Sequence, residues 1–143
     1  MKRTWIIGLA VLLFLVGCSG QRALPPEEAA AFAGQVDEMS ENLLTALNNQ
    51  DYAAYIRDMS AEMLAVSSEE QFTQVYTAII GVLGVYESRT MSQVLEQGRY
   101  RTVVYTATFA NEENVTVRVV YDVSTDPPRI AGLWFDSLLL REQ

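Results

Sequence analysis

The chain has 143 residues, a formal net charge of −8, a single cysteine and no histidine. That length suits one domain around one core, and the acidity argues against nucleic acid, whose phosphates need clustered cations. With no imidazole and one thiol, most zinc, copper and haem sites are out of reach, as are Ser-His-Asp and Cys-His catalysis; no metal and no cofactor is expected.

Lys2 and Arg3 precede an apolar run from Trp5 to Val16. The run is about a dozen residues, where a spanning helix needs roughly twenty, and the pattern is that of a secretory signal. Its ending, Leu15-Val16-Gly17-Cys18, resembles the lipobox of bacterial lipoproteins, a motif some archaea share. The resemblance implies cleavage between Gly17 and Cys18 and a diacylglyceryl thioether on the Cys18 sulfur. Residues 1–17 are then a signal peptide, residues 18–26 a lipidated tether, and residues 27–143 a single α+β domain. Cleavage removes Lys2, the only lysine, so the remainder is still more acidic and anionic headgroups would repel it. The membrane partner is therefore reached through the lipid on Cys18, in a cell membrane or outer membrane, with the domain facing the periplasm or cell exterior.

After the tether, Phe32, Val36, Met39, Leu43 and Leu47 recur at steps of three and four and predict one helix from Glu27 to about Asn48. Asp51 is placed to cap a short helix presenting Tyr52, Tyr55 and Ile56, and Ser60 to cap one more turn. Ser67 or Ser68 opens a helix running to Leu83, with Phe72, Val75, Tyr76, Ile79 and Leu83 facing inward and Gly84 closing it.

The period then changes to two. Tyr86 to Gln97 reads as a strand, and Gly98 allows a turn. Val103, Tyr105, Ala107 and Phe109 alternate with threonines. Asn111 to Asn114 makes a hairpin loop, Val115 to Val123 alternates again, Thr125 to Pro128 turns, and Arg129 to Leu140 is a last strand. Short connections make these four strands an antiparallel meander, and the amphipathic helices supply its cover. The fold class is α+β, with N-terminal helices packed on a curved four-stranded antiparallel sheet.

With this layout, the stretches ALNNQDYAAYIRDMSAEM, GVLGVYES and IAGLWF resemble nuclear-transport-factor-two-like proteins, the ketosteroid-isomerase or cystatin-like cone. More narrowly, they resemble an uncharacterised family of small exported or lipidated domains in that superfamily, over residues 28–140. The resemblance implies a conical pocket between sheet and helices, and frequent dimerisation through the outer sheet face. Isomerases of this kind use a carboxylate base with tyrosine and protonated aspartate donors. The candidates are Asp58 beside Tyr55 and Asp136 beside Trp134 and Phe135 as acids, with Tyr76, Tyr105 and Tyr121 as donors.

Structural roles for the same residues weigh more heavily. Tyr105 and Tyr121 suit core aromatics whose hydroxyls reach an edge. Asp58 suits a pairing with Arg57, and Asp136 a solvent-facing strand end. Met39, Met59, Met63 and Met91 suit gap-filling better than a ligand pocket. The favoured function is noncatalytic binding of a small apolar ligand or a protein partner; the alternatives are an isomerase or dehydratase and a homodimeric assembly module.

Overall fold

Asp51, Ser60, Ser68 and Ser137 each begin a helix in the same way. Each side-chain oxygen accepts a backbone N–H three residues on, from Ala54, Met63, Gln71 and Leu140 respectively. These caps organise a computed structural model that describes residues 20–143. The helices are α1 (Pro26–Gln35), α2 (Asp37–Asn48), α3 (Tyr52–Ile56), α4 (Ala61–Ala65), α5 (Glu69–Leu83) and α6 (Leu138–Arg141). The strands are β1 (Arg22–Ala23), β2 (Tyr86–Gln97), β3 (Tyr100–Phe109), β4 (Glu112–Asp122) and β5 (Arg129–Asp136). They form one sheet in the order β1-β2-β3-β4-β5, with every neighbouring pair antiparallel.

The α+β class and the meander stand, while the strand count rises from four to five. The additional strand is short. Arg22 and Ala23 pair with Glu96 and Leu95, the Arg22 guanidinium bonds Glu96 at 2.8 Å, and Leu24 is buried with its N–H on the Val94 carbonyl. Pro25 and Pro26 keep the residues before them extended, which suits a strand.

Two further boundaries differ. The helix expected from Glu27 to Asn48 is two helices, because Val36 (φ −105°, ψ 7°) leaves the helical region. Gly34 and β-branched Val36 are weak helix formers, and Asp37 and Glu38 restart the helix with acids at the positive end of its dipole. The last strand stops at Asp136, where Ser137 and the Glu112 carboxylate take up the first N–H groups of α6.

The alternation predicted for β3 and β4 holds, and it defines the core face. Cross-strand rows run Val94, Val103, Val119, Leu133 and Met91, Tyr105, Val117, Phe135. Phe32, Val36, Leu43, Leu44 and Leu47 of the two N-terminal helices cover that face and are buried in one cluster with it. Register shifts in the β2–β3, β3–β4 and β4–β5 pairings bend the strands, as bulges do. Gly84 (φ +77°) ends α5 in a conformation that disfavours any Cβ, and one built there would lie 2.8 Å from the Ala110 Cβ.

The edge strand β5 is held at its start. Ile130 N–H donates to the Asp58 carbonyl and Ser60 N–H donates to the Ile130 carbonyl, both at 2.8 Å, making a parallel bridge between Met59 and Ile130. Beyond that bridge, β5 runs beside α4 and α5 with a gap between them.

Candidate functional site

Of the residues singled out in the sequence, the structure brings together Tyr105 and Tyr121, while each aspartate is engaged by an arginine. Oη of Tyr105 and Oη of Tyr121 lie 2.7 and 2.6 Å from Ser40 Oγ on α2, and Tyr121 also donates to the Val36 carbonyl at 3.4 Å. All three side chains are buried. Burial pushes the Tyr121 hydroxyl well above its ordinary ionisation range. The cluster is a satisfied core network under the α1–α2 break.

Arg89 of β2 closes that network from the outside. Its guanidinium carbon sits 5.0 Å from the Tyr105 ring centre, and its nitrogens bond Asp37, Glu41 and the Tyr86 hydroxyl. Its side chain is 7% exposed, and Nε has no hydrogen-bond partner among the described residues. With two carboxylates already on it, this arginine ties α2 to β2.

Each aspartate accepts from a neighbouring arginine. Asp58 receives both Nε and Nη2 of Arg57, at 3.0 and 2.8 Å. Asp136 forms a two-pronged pair with Arg141, at 2.8 and 2.7 Å, and the hydrogen bond from that guanidinium lowers the Asp136 carboxyl below its usual range. Tyr76 is half-buried on α5 and packs against the core.

A cleft of about 400 Å³ instead opens between α5, the α4 region and β5. That lies within the range of about 300–1,000 Å³ usual for small-molecule sites. Helix α5 contributes Phe72, Val75 and Ile79 to one wall. Met63 and Val66 form a second wall, and Leu133, Trp134 and Phe135 of the edge strand a third. Val75 and Ile79, expected inside the core, are half-buried cleft residues, while Ile80, unremarked in the sequence, is buried. Among the four methionines, only Met63 reaches the cleft; Met59 is buried, and Met39 and Met91 pack against the core. Asp58, Asp136, Tyr105 and Tyr121 are absent from its lining.

Among the described residues, Tyr55, Ser67 and Gln71 join the Trp134 indole as the lining residues with polar side chains. Capping by Asp51 sets the rotation of α3 that turns Tyr55 inward, where its ring packs 4.8 Å from Phe72. Burial pushes the Tyr55 phenol up to about 12. Tyr55 and Ser67 carried no chemical pattern in the sequence; their signal is positional, one turn past a cap and one residue before another.

Gly17 and Cys18, expected to be the cleavage and lipidation residues, lie outside the described residues. Among the described residues, no helix is long and apolar enough to cross a membrane, and no group of three or more Cys, Asp or Glu side chains is gathered to hold a metal ion. The model of a family described as "Protein of unknown function (DUF3887)" matches residues 40–126, more than half of the chain. No curated protein and no solved structure matches it.

Proposed function

The chain belongs to the DUF3887 family of proteins of unknown function, and from that premise we propose that it is a lipid-anchored, noncatalytic domain that holds a small apolar molecule outside the cytoplasm. The observation that carries the binding role is the cleft of about 400 Å³ walled by apolar side chains of α5, the α4 region and β5. A pocket of that size and lining is the usual form of a small-molecule site. The address rests on the basic start, the apolar run and Leu15-Val16-Gly17-Cys18. Helices layered on a bulged antiparallel sheet support kinship with the nuclear-transport-factor-two-like cone, a superfamily with many noncatalytic binding domains.

The isomerase reading draws no comparable support, because each candidate aspartate is paired with an arginine and neither lines the cleft. The dimer reading has one observation in its favour. Trp134 is 58% exposed and its ring lies over Gly132, so part of the sheet carries an uncovered aromatic surface. Light scattering on the purified chain distinguishes a monomer from a second copy covering it.

The main test is extraction of the full chain from membranes of its native host, followed by mass spectrometry. The expected result is a processed chain that begins at an acylated Cys18 and co-purifies with an apolar small molecule. An intact leader on exported protein would overturn the anchor. An empty cleft in native material that also takes up no apolar molecule on titration would overturn the binding role.

A further inference from the structure

The cleft has a chemical signature beyond its apolar walls. Among the described residues, no charged side chain lines it. The Tyr55 and Ser67 hydroxyls, both on buried residues, make no hydrogen bond among the described residues. Neither oxygen is sealed from water, so a ligand that fills the cleft and displaces that water must meet the hydroxyls or leave them unpaired.

Taking the cleft as the binding site, we infer that its ligand is an uncharged, largely apolar molecule carrying a hydrogen-bond acceptor, such as a ketone or ester oxygen, at the end that meets Tyr55 and Ser67. An anion would lose its water with no cation to replace it, inside a chain whose net charge is already −8. A cation would find no carboxylate in the lining. Nor do the rings form a cage for one: Tyr55 packs on Phe72 at 4.8 Å, and Phe135 meets Phe109 at 6.2 Å. Because burial holds the Tyr55 phenol neutral, it remains a donor across the physiological range. A purely aliphatic ligand would leave both hydroxyls unmet.

The test is calorimetric titration of the full chain, held in amphipol at about pH 8, with four matched probes. These are hexylbenzene, para-hexylacetophenone, para-hexylbenzoate and para-hexylphenyltrimethylammonium. The ketone is expected to bind best, with both charged probes at least about tenfold weaker. Tyr55→Phe is expected to weaken the ketone about fivefold and leave hexylbenzene unchanged. Ala78→Trp, which fills the cleft from α5, is expected to abolish binding of both.

A charged probe binding as tightly as the ketone, and lost in Ala78→Trp, would overturn the ligand class while leaving the cleft as the site. Equal ketone affinity in Tyr55→Phe and Ser67→Ala would overturn the role of the hydroxyls. Failure of all four probes to bind would overturn the cleft reading itself.

Discussion

Ser40 Oγ stands 2.6 Å from the hydroxyl oxygen of Tyr121, joining α2 to a strand 81 residues later inside a fully covered core. The same oxygen serves Tyr105 at 2.7 Å, so one small side chain satisfies two phenols. Ser40→Ala would remove the hydrogen-bond partner of the Tyr105 hydroxyl and leave Tyr121 only its 3.4 Å bond to the Val36 carbonyl. It is expected to destabilise the fold by about 2–4 kcal/mol in urea unfolding, with Tyr105→Phe costing about 1 kcal/mol. The double variant should cost less than the sum, because removing the phenol removes a group that alanine leaves unsatisfied. Strict additivity would mean that the network contributes nothing as a unit.

The buried phenols set the alkaline limit of the fold. Desolvation raises Tyr55 and Tyr86 from 10.0 to about 12, and Tyr121 moves in the same direction. The folded chain therefore keeps protons that the unfolded chain gives up above pH 10. Stability from this source is complete below that value and is lost as pH rises through about 12. The thermal midpoint should be level on the neutral side and fall across this window. Tyr55→Phe should reduce the fall. A midpoint unchanged up to pH 12 would contradict it.

Asn48 presents its amide to a single residue of β2, donating to the Tyr86 carbonyl and accepting the Tyr86 N–H, both at 2.8 Å. It thus stands in for a neighbouring strand at the point where the sheet begins. Asn48→Ala is expected to cost about 1–3 kcal/mol and to speed amide exchange at Tyr86. Asn48→Asp should keep the acceptor and lose the donor, recovering part of the loss.

Gly84 and Gly98 both have positive φ, +77° and +57°, but only Gly84 is crowded, with Ala110 Cβ 2.8 Å from where a Cβ would stand. A Cβ on Gly98 would meet no atom of the described residues within 4 Å beyond its chain neighbours. Gly98→Ala should therefore cost about 1 kcal/mol from backbone strain alone, and Gly84→Ala about 2–3 kcal/mol, read by thermal unfolding. Equal losses would mean that the contact with Ala110 is relieved at no cost.

What could be read from the chain alone was whatever repeats locally. Val103 to Phe109 and Val115 to Val123 announce their faces because a strand turns every second side chain inward. Asp51, Ser60 and Ser68 announce helix starts because capping acts over three residues. The α1–α2 break was hidden because Phe32, Val36, Met39 and Leu43 keep helical spacing across it. Arg22-Ala23 is too short to show any period. Ser137 to Leu140 continues the apolar run of the last strand, and the Ser137 cap together with the distant Glu112 carboxylate turns it into a helix. The cleft was least visible. Val75 and Ile79 are as apolar as any core residue, and only the placement of β5 against α5 leaves a gap before them.

The paired hydrogen bonds at Ile130 fasten one end of β5 to the Asp58–Ser60 segment, whereas Leu133 to Phe135 flank open volume. The other end is closed as well, because α6 follows β5 directly and packs on α5. A guest lying along β5 is therefore stopped at both ends, and its length is limited more strictly than its girth.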